Sequence, residues 1–117
     1  MPIVNLKDML GHAMEHRYAV AAFEVDGLDF LAGYMLAAEQ SRAPLILNIP
    51  EYGRSGVDLE VLLPAVEAAT RMARVPVAIM LDHATTLEAA VRGIKLGCNG
   101  VMIDRSDEAL AENISVT

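Results

Sequence analysis

Val75-Pro76-Val77-Ala78-Ile79-Met80-Leu81-Asp82-His83-Ala84-Thr85-Thr86-Leu87-Glu88 is the stretch on which the fold turns. Its first half is an apolar run with no period of its own, the pattern of a parallel strand covered on both faces. The run ends at two polar side chains, Asp82 and His83. Thr85 then stands three residues before Glu88, the reciprocal spacing that satisfies orphan N–H groups at a helix start. A buried strand thus delivers a carboxylate and an imidazole to a point just ahead of a helix. In α/β folds ligands and catalytic groups gather at such points, because the sheet fixes their roots while the loops face solvent.

Outward from this stretch the same rhythm repeats. Asn5 is placed to cap a helix over about residues 6–16, and residues 18–23 read as a first buried strand that ends at Glu24. Asp26 is placed to cap a helix from Leu28 to about Ser41. Pro44 cannot continue that helix and introduces a second strand over residues 45–49, followed by a loop-like segment over residues 50–56. Asp58 opens an amphipathic helix to about Ala73, in which Pro64 either makes a kink or starts the main segment. Beyond the quoted stretch, a helix from Thr86 to about Leu96 stops at Gly97. Residues 100–104 make a fourth strand, again ending in an acid, and Ser106 is placed to cap a last helix from Asp107. Phe23, Leu47, Ile79 and Met102 fall near the strand centres.

Composition narrows the classes. Apolar residues make up 54% of 117, ample for one core, while aromatics are only 4% and Trp is absent. The core must therefore be built from Ala, Val, Leu, Ile and Met. A net charge of −7 argues against nucleic acid or an anionic membrane as partner, but not against a phosphorylated small molecule. One cysteine excludes an internal disulfide framework and fits a reducing compartment. No stretch approaches the roughly 20 apolar residues of a spanning helix. The opening octet has neither a basic region nor an apolar core, so the expected address is cytoplasmic.

A leading helix followed by four strand–helix units implies a parallel sheet with right-handed crossovers. Two α/β architectures fit: a small open doubly wound sheet, or the first half of an eight-stranded barrel. No βα loop carries a glycine-rich phosphate fingerprint and the polar groups sit at several strand ends, which favours the barrel.

Four ordered stretches carry a more specific signal. They are Tyr18-Ala19-Val20-Ala21-Ala22-Phe23-Glu24-Val25, Ala43-Pro44-Leu45-Ile46-Leu47, Val75 through His83, and Gly100-Val101-Met102-Ile103-Asp104. In this order, with Glu112-Asn113-Ile114 closing the set, they resemble the N-terminal half of the class II, metal-dependent fructose-bisphosphate aldolases. The resemblance implies a (β/α)8 TIM barrel of which residues 1–117 form the N-terminal half as a single domain. It implies a lyase that cleaves or forms a ketose (bis)phosphate through a zinc-stabilised enediolate of dihydroxyacetone phosphate. By position, Asp82 is implied as the acid/base for the aldehyde-side hydroxyl and His83 as the first zinc ligand. Asp104 matches an acid associated with alternative or second-metal positions. A phosphorylated sugar is the implied substrate and a homo-oligomer, dimer or tetramer, the implied assembly.

Three positions depart from the family pattern. Glu24 stands where Asn is usual, Pro50 where Ser is frequent, and Arg105 where Gly commonly follows the acid. Glu24 is accordingly read as a substrate-binding position whose substrate need not be fructose 1,6-bisphosphate, and Arg105 as a surface ion pair. A complete barrel takes about 250 residues, and one imidazole does not make the three-ligand zinc site of such enzymes. The 117 residues by themselves are therefore expected to be inactive. His12-Ala13-Met14-Glu15-His16 fits a zinc-peptidase spacing, but it precedes the first strand and lacks a third ligand. Cys98 reads as a buried packing thiol. The alternatives are a non-catalytic half-barrel that serves as an assembly module, and another phosphate-binding barrel enzyme with no need of His83.

Overall fold

The computed structural model describes residues 3–51 and 58–117. Five helices and four strands alternate after the first helix: α1 (Leu6–Glu15), β1 (Ala21–Glu24), α2 (Leu28–Ser41), β2 (Leu45–Pro50), α3 (Leu59–Met72), β3 (Val77–Ala84), α4 (Leu87–Lys95), β4 (Gly100–Ile103) and α5 (Leu110–Val116). The strands form one parallel sheet in the sequential order β1-β2-β3-β4. A doubly wound sheet reverses its strand order at a switch point. This sheet does not reverse, so every crossover runs the same way, as in a barrel.

Register then sorts the side chains. Phe23, Leu47 and Ile79 are aligned across three strands. They belong to the face carrying Leu45, Ile49, Val77 and Leu81, which packs on Leu31 of α2, Leu62, Leu63 and Val66 of α3, and Ala89 and Ala90 of α4. Leu47, Ile79 and Leu81 are fully buried there, each side chain worth about 1.5–3 kcal/mol relative to exposure. Phe23 stacks on Tyr34 of α2 at 4.9 Å.

The opposite face is polarised along its length. Near the strand starts, Ile46 and Ala78 pack with Met9 of α1, with Val4, Leu6, Val20 and Met80 around them. Toward the strand ends that face presents Glu24 and Asn48, then Pro50 aligned with Asp82. One end is thus plugged by an apolar helix while the other carries the titratable groups. Asn99 anchors the plug: its Oδ1 accepts from Ile79 N at 3.0 Å and its Nδ2 donates to Val4 O at 2.5 Å.

The expected caps form at two helix starts and fail at the other three for identifiable reasons. Asn5 caps α1 through Lys7 N, and Asp58 caps α3 through Glu60 N. The cap of α4 is Thr86, whose Oγ1 accepts from Ala89 N at 3.1 Å; the Thr85–Glu88 box does not form, because Glu51 takes both donors of Thr85. Asp26 does not cap α2. Gly27 occupies that position without a side-chain bond, and Asp26 Oδ1 is buried without a partner among the described residues. Ser106 does not cap α5, since its N–H is held by Asp104 Oδ1 at 2.9 Å and the helix begins only at Leu110.

Other boundaries moved less. Residues 18–20 finish the turn after α1 rather than extending β1, with Tyr18 N donating to Ala13 O. Pro64 lies inside α3, on its exposed side. The loop expected over residues 50–56 falls from Tyr52 onward outside the described residues. Cys98 is buried, and burial pushes its thiol up to about 11, as a packing residue requires.

Gly93 of α4 sits directly on Leu81. An added Cβ would lie 2.7 Å from Leu81 Cδ2 and 3.2 Å from Leu81 Cβ. Helix propensity alone predicts that Gly93→Ala gains about 1 kcal/mol. The contact predicts the reverse, a net loss of about 1–3 kcal/mol from overpacking against the strand that carries Asp82. Urea unfolding of the two forms checks the sign.

Candidate functional site

Successive residues of a strand point to opposite faces, so Asp82 and His83 should be separated by the sheet. They are not, because β3 carries an extra residue. Leu81 pairs with Val101 and Ala84 with Ile103, which leaves Asp82 and His83 opposite the single residue Met102. This is the two-against-one count of a β-bulge. His83 takes up the distortion at φ +55°, a left-handed conformation that a side chain with Cβ adopts at a cost of roughly 1–2 kcal/mol.

The bulge is held on both sides. Glu51 N–H donates to Asp82 O at 3.2 Å, and the Glu51 carboxylate accepts from Thr85 N at 2.6 Å and Thr85 Oγ1 at 3.0 Å. From the other neighbour, Asp104 N donates to Ala84 O at 2.9 Å. One acidic residue at the end of β2 and one at the end of β4 therefore fix the backbone on which the imidazole rides.

The side chains converge. His83 Nδ1 donates to Asp104 Oδ2 at 2.5 Å, and His83 Nε2 lies 3.9 Å from Asp82 Oδ2. Asp82 Oδ2 also accepts from Asn48 Nδ2 at 3.5 Å. The side chain of Asp82 is only 10% exposed, whereas His83 is 63% and Asp104 27% exposed. A nearly buried carboxylate therefore flanks an accessible imidazole.

Electrostatics follow from this packing. The hydrogen bond that His83 donates to Asp104, then the charge of Asp82, raises the His83 pKa above its ordinary 6.5, with a smaller contribution from Glu24. Asp104 is held well below the usual carboxylate range by its bonds from Ser106 and then by His83. Glu24 stands level with Asn48 at the end of β1. Arg105 pairs through Nη2 with Glu108 at 3.0 Å, the ion pair expected of it.

The structure thus brings Asp82, His83 and Asp104 to one rim and places Glu24 on an adjoining strand end. His12 and His16 stack on each other at 4.0 Å, with His12 Nδ1 meeting the Tyr18 hydroxyl. Two residues of the rim were absent from the sequence reading. Asn48 was signalled by its polarity inside the apolar run Leu45-Ile46-Leu47-Asn48-Ile49. Glu51 had no comparable signal, because its role depends on a loop from another strand.

His83 offers one imidazole whose second nitrogen is oriented by a carboxylate, the usual support for a metal-binding histidine. Among the described residues no group of three or more His, Cys, Asp or Glu side chains is arranged to hold an ion. This chain fits one corner of a zinc site and does not complete it.

Parallel strands in sequential order, α2 to α4 on one face and titratable groups at the carboxyl ends on the other define the fold of a (β/α)8 barrel protein. The chain belongs to the class II fructose-bisphosphate aldolase family, whose sequence model, "Fructose-bisphosphate aldolase class-II", matches residues 4–117. It is 37% identical over 118 residues to a fructose-bisphosphate aldolase of Giardia intestinalis, covering 100% of this chain and 36% of that protein. A probable fructose-bisphosphate aldolase of Bacillus subtilis is 36% identical over 120 residues, with 100% and 42% covered. The YdjI aldolase of Escherichia coli K12 superposes with a TM-score of 0.92 at 25% identity, over 97% of this chain and 43% of that one. A putative fructose-1,6-biphosphate aldolase from Coccidioides immitis gives 0.86 at 27% identity, over 96% and 44%. The chain spans well under half the length of these relatives.

The His83–Asp104 pair fixes a pH signature. A raised imidazole pKa gives stability that is complete below 6.5 and lost as pH rises through the raised value; a lowered carboxylate pKa gives stability present above 3.8 and lost as pH falls. In the metal-free protein the pair therefore contributes fully between these limits. Asp104→Asn is expected to bring the His83 titration down toward 6.5 and to flatten the stability profile above it. Imidazole NMR titration and unfolding across pH check both.

Proposed function

We propose that this chain is the N-terminal half of a single barrel domain in a class II aldolase, a cytoplasmic enzyme of carbohydrate metabolism that cleaves and forms a phosphorylated ketose. The observation that supports this best is the bulged end of β3, where a nearly buried carboxylate and an accessible, carboxylate-oriented imidazole share one rim in a chain of that family. Asp82 is assigned the proton transfer. As the carbon–carbon bond breaks, its carboxylate takes the proton from the aldehyde-side hydroxyl; in the reverse direction it returns that proton.

His83 is assigned as one ligand of a divalent metal, zinc by the resemblance, with its partner ligands in the part of the family's length that this chain does not span. When bound, the metal supplies a Lewis acid for the carbonyl end of the ketose. Both oxygens of Asp104 already have protein partners, His83 and Ser106. That geometry favours an orienting role for Asp104 over a second-metal position. Glu24 is assigned to the substrate. A carboxylate there favours hydroxyls over a phosphate, so the group meeting β1 is a polyol end.

A second reading, a half-barrel that acts through self-association, draws on the sheet itself, since β1 and β4 each pair on one side only. It and the proposed homo-oligomeric state are tested together by sedimentation. A monomer that shows no tendency to associate would count against both.

The aldolase reading makes a two-part prediction for the complete enzyme. Asp82→Ala lowers aldol cleavage of a ketose phosphate by roughly 10²- to 10⁴-fold with bound metal retained. His83→Ala loses the metal as well. Elemental analysis and a coupled cleavage assay distinguish these results. A metal-free wild type with undiminished activity, or full activity in Asp82→Ala, would overturn the assignment.

A further inference from the structure

Asn48 presents a contradiction that the fold does not explain. It sits half-buried on the inner face of β2, aligned with acidic Glu24 on one side and apolar Met80 on the other. Its backbone carbonyl is already used by Val25 N at 2.9 Å. Its side-chain Oδ1 is buried and has no hydrogen-bond partner among the described residues. An unpaired buried acceptor is a net loss to folding, and such groups persist in native structures where something else requires them. Leucine has nearly the same volume and would remove that unpaired acceptor.

The other end of the amide shows what is gained. Nδ2 reaches across to β3 and donates to Asp82 Oδ2 at 3.5 Å. The same oxygen faces His83 Nε2 at 3.9 Å. Both neighbours therefore draw Oδ2 toward the protein, and among the described residues no donor meets Asp82 Oδ1. The carboxylate is thereby oriented, with one oxygen held and the other left for a reactant. A carboxylate accepts only from a donor, so the amide must present nitrogen to Asp82 and turn its oxygen away from it. The orphaned Oδ1 is the direct consequence of that orientation.

We propose that Asn48 is the positioning residue of Asp82, kept at the expense of a buried unpaired acceptor because its amide sets the angle of the proton-transferring carboxylate. The assignment rests on the aldolase reading of Asp82. Asn48 does not touch the reacting atoms; it acts through Asp82.

The experiment compares Asn48→Leu, Asn48→Gln, Asp82→Ala and the Asn48→Leu/Asp82→Ala double variant in the complete enzyme, with kcat, KM, thermal midpoint and metal content measured for each. Asn48→Leu is expected to unfold at the same or a higher temperature and to keep its metal. Its kcat should fall roughly 10- to 100-fold, the penalty of a misplaced catalytic group. KM should stay within about threefold, because ground-state binding is untouched. Asn48→Gln, which keeps the donor, should recover part of kcat, and the double variant should be no slower than Asp82→Ala.

A kcat within twofold of wild type in Asn48→Leu would overturn the assignment. So would a kcat loss matched by a fall in thermal midpoint, or a further loss in the Asp82→Ala background. Full cleavage activity in Asp82→Ala would remove the aldolase reading itself, whereas an inactive Asp82→Ala beside a fully active Asn48→Leu removes only the role of Asn48.

Discussion

The alternation of side chains along a strand is the constraint from which the rest of this structure follows. Two neighbouring residues can serve one site only where the strand breaks that alternation, and β3 breaks it at Asp82 and His83 by setting both against Met102. The break leaves His83 in a left-handed conformation that has to be stabilised by its surroundings. Glu51 and Asp104 supply that support from the flanking strands, and their bonds converge on four residues, Asp82 to Thr85. Strain at the imidazole is thus balanced by ordering at its neighbours.

Polarity is distributed to match. The inner face is small and apolar where α1 packs on Ile46 and Ala78, and its polar groups begin only two residues further along, at Glu24 and Asn48. The helix-facing side carries the cohesion, through Leu47, Ile79 and Leu81 against α2, α3 and α4. Stability and chemistry occupy opposite faces of the same strands. That separation lets one face hold an unpaired amide oxygen and a strained residue while the other remains closely packed.

Most of the architecture was legible in the sequence. The order of elements followed from apolar runs alternating with capped helices, and Asp82, His83 and Asp104 stood out as polar ends of apolar strands. What could not be read was decided by contacts between distant residues. Thr85 had the spacing of a capping residue, but a carboxylate 34 positions away claimed it and moved the cap to Thr86. Ser106 lies short of the helix it was expected to open, which begins only at Leu110. The bulge left no trace in residue types, since nothing in Leu81-Asp82-His83-Ala84 announces that two residues will face one. Asn48 was visible as a polar interruption, yet its meaning required knowing that β2 and β3 are neighbours in register.

The two-against-one count in β3 also bears on how such a chain can evolve. Exchange of one apolar residue for another between Val77 and Leu81 leaves the geometry of the rim intact. Insertion or deletion of a single residue there would invert the strand's inside and outside and carry the carboxylate into the helical layer. Natural variation in this segment should therefore consist of replacements alone, with changes in length confined to connections whose backbone carries no such parity.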